Sequence, residues 1–154
     1  MKTAVLLLFS ILHTGQAAFG AYNLYLASIS IRNLSGYEET IKKAAKHSNT
    51  VGEQLHRTRT TQASGTCAIL ASLLSSIYLL LVSENGRLVV VGLNALALAS
   101  AWHHVGAFWT HKARIPLPGV GDYNAAMRNT QEVRANMAYL VASWVAVGAL
   151  ALLF

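Results

Sequence analysis

The sequence has few charged residues and few acidic residues in particular. Charged residues make up 12% of the 154 positions, hydrophobic residues make up 54%, and the mean hydropathy is +0.42. A composition this apolar excludes an ordinary soluble domain of this length. We therefore interpret the chain as an integral membrane protein.

Cysteine and proline are also scarce. The single cysteine, Cys67, excludes an intrachain disulfide, and we expect its thiol to be buried and inert. Both prolines lie in one segment, "RIPLPGVGDYNAAM", which also contains glycine and asparagine. These turn-forming residues predict a structured loop over 114–127 rather than a helix.

Long apolar runs are what the sequence does have. A helix of about 20 apolar residues crosses about 30 Å of hydrocarbon. Four such runs nearly fill the chain, at 3–31, 63–82, 88–109 and 135–154. They predict an all-α integral membrane protein, a single four-transmembrane-helix bundle over residues 1–154. The first run also resembles a secretory signal, but its apolar character continues through "AYNLYLASISI", which favours a span.

The basic residues are divided unevenly between the two sides of this bundle. Ten adjoin the first and third connections, whereas only Lys2 and Arg87 lie on the other side. The positive-inside rule therefore predicts that the first and third connections are cytoplasmic and that the termini are lumenal or outside. The second helix is predicted to extend into the cytosol, because the segment before it lacks proline and places Glu53 and Arg57 at helical spacing.

Small residues recur every four positions in two of the spans. They are Ser64, Ala68, Ser72 and Ser76 in the second span, and Ala138, Ala142 and Ala146 in the fourth. Rows of this kind allow helix backbones to approach closely, so we expect a tight bundle.

Two adjacent histidines, His103 and His104, lie within the third apolar run. An imidazole at this depth is costly without a partner, which makes each a candidate functional residue. His103 lies roughly 23 Å along its helix, whereas His13 lies only about 15 Å from the same face, so no second histidine of the chain stands opposite. We expect hydrogen bonds to neighbouring spans. Haem or metal ligation by His103 or His104, with a ligand from a second copy, and a catalytic or ligand-contact role stay open.

Several arginines are predicted to meet at the cytosolic rim. They end the first span, precede the second, follow the third and open the fourth, and they are Arg32, Arg57, Arg59, Arg114 and Arg134. Guanidinium groups give forked hydrogen bonds to carboxylates and phosphates, so the rim is suited to an anionic cosubstrate. The alternative is that they are topological residues that contact lipid phosphates. We do not expect nucleic-acid binding, since the loops lack interleaved aromatic residues.

The layout resembles the membrane-associated family of eicosanoid and glutathione metabolism, to which the microsomal glutathione transferases belong. The resemblance covers the order of spans over almost the whole chain, and it implies a trimer with glutathione bound between subunits. In "GEQLHRTRTTQASG" it implies that Glu53, Arg57, Arg59 and Thr61 bind the cofactor, although Thr61 stands in place of an asparagine and Ser64 in place of a glutamate. It further implies catalytic roles for Arg134, which would stabilise a thiolate, for Arg32, and for Tyr123 as a proton donor.

Two functions follow as hypotheses. The first is a small membrane enzyme that acts on a lipophilic substrate, with an anionic cosubstrate, glutathione if the resemblance holds, at the cytosolic rim. The second is a non-catalytic or haem-carrying subunit that anchors a larger membrane complex. The scarcity of acid–base groups and of chain outside the spans supports the second.

Overall fold

The structure is a computed structural model that describes residues 2–45, 49–82, 87–112 and 121–153. These segments contain four helices: α1 Lys2–Ala45, α2 Asn49–Leu81, α3 Arg87–Trp109 and α4 Gly121–Leu153. All four are long and apolar enough to cross a membrane. The predicted all-α bundle of four spans is therefore confirmed, and the chain is a multi-pass membrane protein.

The helices form a four-cornered bundle. α1 and α3 each pack against both α2 and α4, so α1 and α3 occupy one diagonal. One end of the bundle holds the end of α1, the start of α2, the end of α3 and the start of α4, and we call it the basic end. The other, which holds the first residues of α1 and the junction of α2 with α3, is the opposite end.

Three helices continue past their apolar runs at the basic end. α2 begins at Asn49, which confirms its predicted extension, and α1 runs on to Ala45. α4 begins at Gly121, so the predicted loop is wrong over 121–127. Asp122 in the first turn complements the helix dipole, and the alanines that follow favour helix. The rest of the predicted loop, with both prolines, lies outside the described residues.

A seven-residue pattern fixes which face of α1 is buried. Except for Leu26, the buried positions fall in two rows of this spacing, Phe9, Gln16, Asn23 and Ser30, and His13, Gly20, Ala27 and Leu34. Such a pattern is the seam of a coiled coil. Much of this seam is polar, and it binds α4: Gln16 donates to Ser143 (2.9 Å) and Asn136 to Asn23 (2.9 Å). Hydrogen bonds of this kind hold helices together where no hydrophobic force does so.

The small-residue rows behave differently in α2 and α4. Ala68, Ser72 and Ser76 are buried, as predicted for the second span. The alanine row 138, 142 and 146 instead faces outward, so the predicted close approach along it is wrong for this chain alone. The reason is volume, since α4 turns Trp144 and other large side chains inward to fill the core. Cys67 is likewise exposed, contrary to expectation, because Ala68 and Ile69 take the inward positions.

Candidate functional site

The two histidines of α3 both point away from the bundle core. His104 Nδ1 lies 2.9 Å from the Ser64 hydroxyl, which gives it the predicted partner on a neighbouring span. His103 is exposed and makes no hydrogen bond within the described ranges, so the expected partner is missing there. The described part of the chain contains no group of three or more metal-ligating side chains.

The predicted arginine rim does not converge in the structure. Arg57 pairs along its own helix with Glu53 (2.8 Å), and both side chains are exposed. Arg59 turns toward α1 and forms a forked ion pair with Glu38, with its Nη2 2.7 Å from a carboxylate oxygen. Arg32 is exposed on α1. Two of the expected anion ligands are therefore already occupied by carboxylates, while Arg114 lies outside the described residues.

Arg134 occupies a site of its own between α3 and α4. Its guanidinium carbon lies 4.7 Å from the centre of the Trp102 ring, and its Nε donates to the Trp102 carbonyl at 3.4 Å. It packs directly on Gly106, where an added Cβ would lie 2.5 Å from Nε. No carboxylate pairs with Arg134 within the described residues, so its remaining donors stay available for an anion.

Thr61, predicted to contact a cofactor, lies inside the bundle. Its side chain is 1% exposed, and its hydroxyl accepts a hydrogen bond from Trp109 Nε1 (2.9 Å) while it donates to the Arg57 carbonyl (2.8 Å). This contact joins α2 to α3. The described contacts of Thr61 are therefore packing contacts between α2 and α3, and its role toward a cofactor stays a prediction.

Tyr123, one of the predicted catalytic residues, lines a large cavity. The cavity has a volume of about 400 Å³ and lies at the basic end between α1, α2 and the first turn of α4. Its walls include apolar Leu34, Val51 and Leu55. The ring of Tyr37 packs 4.9 Å from that of Tyr123 across the junction of α1 with α4. The site is thus an apolar chamber with a few polar groups at its edge, which is the usual composition of a small-molecule site.

Lys112 supplies the positive charge of this cavity. It follows the end of α3, lies over the Phe108 ring (4.4 Å) and donates to the Gln54 amide oxygen. Glu38 also lines the cavity, but its carboxylate forms an ion pair with Arg59. Within the described residues Lys112 has no carboxylate partner, so its charge is available to an anionic ligand in the cavity.

The phenol of Tyr123 is protonated at neutral pH. It precedes the apolar run of α4, and burial, followed by the neighbouring Tyr37, raises the pKa of its phenol. Its hydroxyl therefore stays protonated across the physiological range. A protonated phenol suits donation to an oxygen of a ligand rather than abstraction of a proton.

A second, shallower cavity opens beside the first between α1 and α2. It has a volume of about 230 Å³ and reaches Ile31 and Ala63, which lie nearer the apolar runs. It shares Leu34, Glu38 and Thr58 with the larger cavity. The Glu38–Arg59 ion pair therefore lies where the two cavities meet.

Sequence reasoning missed Lys112, Glu38 and Tyr37 as parts of one site. The available signal was weak: Lys112 is the first basic residue after the third apolar run, and the extension of α1 that brings Tyr37 to Tyr123 was not predicted. No protein family, no curated protein and no solved structure matches the chain. The resemblance to the glutathione family, its trimer and its glutathione site stay predictions.

Proposed function

We propose that this protein binds an amphiphilic small molecule with an anionic group in the cavity at the basic end. The observation that carries the proposal is Lys112, a cation at the edge of an apolar chamber of about 400 Å³ that pairs with no carboxylate of the described residues. Cavities of roughly 300–1,000 Å³ suit small-molecule ligands. The anionic group accepts from Lys112, and the apolar part lies among Leu34, Val51 and Leu55.

The enzyme hypothesis fits the same site. The Tyr123 phenol donates to an oxygen of the bound molecule, and the groove between α1 and α2 admits a lipophilic substrate from the bilayer. Arg134, with donors to spare, offers an anionic cosubstrate a separate place between α3 and α4. Glutathione is the cosubstrate that the resemblance suggests, and the positive-inside pattern supports a cytosolic location for this end.

A pair of ligands that differ only in charge tests the binding proposal. Oleate and oleamide share one chain, and the wild type should bind oleate more tightly. Lys112→Gln should remove most of this difference, because a charge-assisted hydrogen bond contributes about 1.5–3 kcal/mol, which is roughly ten- to a hundredfold in affinity. Displacement of a fluorescent fatty acid in detergent measures both affinities.

The matched control is Lys42→Gln, which removes one charge from an exposed position of α1 at the same end. It should leave the preference for oleate unchanged. Equal binding of oleate and oleamide to the wild type would contradict the proposal, and so would loss of the preference in both variants, which would trace it to net charge rather than to the cavity.

The exposed His103 favours a second candidate, a subunit of an oligomer or of a larger complex. An imidazole within an apolar span is costly when it faces lipid, so a partner helix would relieve this cost. His103→Leu should then reduce assembly size in detergent, whereas Leu96→Ala, at another exposed position of α3, should not. An absorption spectrum tests whether the subunit carries haem. Haem ligation by His103 requires a Soret band in the wild type that is lost in His103→Leu. A wild type that is monomeric and free of haem would remove this candidate.

A further inference from the structure

A cavity at the opposite end of the bundle lies far from the site described above. It has a volume of about 380 Å³ and is lined by α1, by the last turn of α2 and by Arg87 at the start of α3. Phe9 and His13 form its inner wall, and Leu81 and Val82 form its outer edge. The lining therefore combines the polar side chains of Ser10, His13 and Arg87 with an apolar outer edge.

His13 is buried at this inner wall with one nitrogen unpartnered. The residue is 1% exposed, packs between Phe9 and Trp144, and has its Nδ1 2.8 Å from the Gln16 amide oxygen. Its Nε2 is buried and has no hydrogen-bond partner. Buried polar atoms in proteins nearly always have partners, so an unsatisfied nitrogen that lines a cavity calls for one.

The neighbouring hydrogen bonds determine which ring nitrogen of His13 carries the proton. The Ser143 hydroxyl donates to the Leu140 carbonyl (2.8 Å) and must therefore accept from Gln16 Nε2 (2.9 Å). This orients the Gln16 amide with its oxygen toward His13, so Nδ1 is the donor of that bond. In the neutral imidazole Nε2 is then an acceptor, and the missing partner is a hydrogen-bond donor.

Arg87 places a guanidinium group, which donates hydrogen bonds, at the same cavity as the acceptor nitrogen of His13. Its guanidinium lies 4.0 Å from the centre of the Phe9 ring, against which His13 also stacks (6.4 Å). Its Nε is buried without a partner, and no carboxylate within the described residues pairs with it. Arg87 is half-buried, and its buried Nε is a donor that lacks an acceptor, which indicates an acceptor oxygen on a ligand at this position.

We propose that this cavity binds the head group of an amphiphile that presents a hydroxyl group close to an anionic phosphate oxygen. The hydroxyl donates to His13 Nε2, and the phosphate oxygen accepts from Arg87 Nε. An acyl chain continues outward along the exposed Leu6, Leu80 and Leu81. This assignment is independent of the function proposed for the basic end.

The test uses the full-length protein, labelled with ¹⁵N-histidine, in nanodiscs of phosphatidylcholine. Phosphatidylglycerol has a glycerol hydroxyl beside a phosphodiester, and its addition should move the Nε2 resonance of His13 from that of a free acceptor to that of a hydrogen-bonded one. Native mass spectrometry should show a preference for phosphatidylglycerol that falls at least tenfold in His13→Phe and in Arg87→Gln. His104→Gln is the control, since that histidine has its own partner on α2 and should leave the preference unchanged.

A second arm separates a lipid from a soluble ligand with the same chemistry. Free glycerol 3-phosphate should leave the Nε2 resonance unmoved if the site needs the acyl chain, and it should move it if the site takes the soluble phosphate; either result supports the assigned chemistry. An Nε2 resonance that neither compound moves would overturn the proposal. So would an undiminished phosphatidylglycerol preference in Arg87→Gln, which keeps the test decisive should His13→Phe fail to fold.

Discussion

Asn136 on α4 donates a hydrogen bond of 2.9 Å to the side-chain oxygen of Asn23 on α1. Asn23 is fully buried, and its own amide nitrogen donates back to the Phe19 carbonyl at 2.8 Å. The pair joins two spans within the apolar part of the bundle, where no water is available to form hydrogen bonds with an amide side chain. Its geometry makes it one of the contacts that fix the register of α1 against α4.

Asn136→Leu should destabilise the bundle by about 1–3 kcal/mol, because it leaves the Asn23 oxygen buried without a donor. The double variant Asn23→Leu/Asn136→Leu should be less destabilised than the sum of the two single variants. The coupling energy should be about 0.6–1.7 kcal/mol, the range for such bonds in membrane proteins. Denaturation in mixed micelles measures all three. Additive single effects would show that the pair contributes no interaction of its own.

The sequence allowed the spans to be predicted because bilayer thickness sets the length of an apolar run. The buried seam of α1 was not predicted. Hydropathy averaged over a window of residues does not show on which face of the helix Gln16 and Asn23 lie. Their seven-residue spacing was present in the sequence. The extensions of α1 and α4 lie outside any apolar run and depend on local helix propensity instead.

The site was harder to predict, because the depth of a residue in the membrane does not specify the direction in which its side chain points from the helix. Arg57 and Arg59 stand at the same level, as expected, yet one pairs along its helix with Glu53 and the other across to Glu38. Tyr123, which was predicted as a candidate within a loop, lies instead in the first turn of α4 and lines the cavity. Lys112 lies at the same cavity because it follows α3 and reaches Gln54 on α2.

Thr61→Val should lower stability by about 1–3 kcal/mol, because valine keeps the shape of threonine but leaves the Trp109 indole without an acceptor. Chemical denaturation followed by tryptophan fluorescence measures the loss. Thr60→Val is the control, since the Thr60 hydroxyl also donates a hydrogen bond to the Arg57 carbonyl but accepts none from the Trp109 indole. If Thr61→Val were to weaken binding of glutathione or another small anion while stability stayed unchanged, that result would support the cofactor role implied by the resemblance.

The topology prediction is testable with single cysteines in a Cys67→Ser background. Lys42 is exposed at the basic end, and Val82 is exposed at the opposite end. Since the positive-inside rule places the basic end in the cytosol, a membrane-impermeant maleimide should label Val82→Cys in sealed, right-side-out membranes. Lys42→Cys should react only after permeabilisation. The reverse labelling pattern would show that the bundle has the opposite orientation, with the cavity at the basic end on the outer side.

Arg134→Lys tests whether this residue holds an anionic cosubstrate or only serves packing and topology. Lysine keeps the charge and hence the orientation, but a point-charge ammonium loses the forked geometry. If Arg134 binds glutathione, affinity should fall roughly ten- to a hundredfold, in line with about 1.5–3 kcal/mol for a charge-assisted contact. Calorimetry measures it, first with glutathione and then with other small anions. A topological arginine would tolerate lysine without loss.

Gly106→Ala probes the same guanidinium without changing any charge or donor. The new Cβ would lie 2.5 Å from Arg134 Nε, so the guanidinium must leave its place over the Trp102 ring. An anion bound there should then lose affinity to a similar degree, whereas Gly92→Ala, where an added Cβ meets nothing within 4 Å, should have no effect. Because the two variants perturb Arg134 by different routes, a shared loss points to the position of its guanidinium. If no anion binds the wild type, or if both variants bind it as the wild type does, Arg134 has no catalytic role and the subunit hypothesis is preferred.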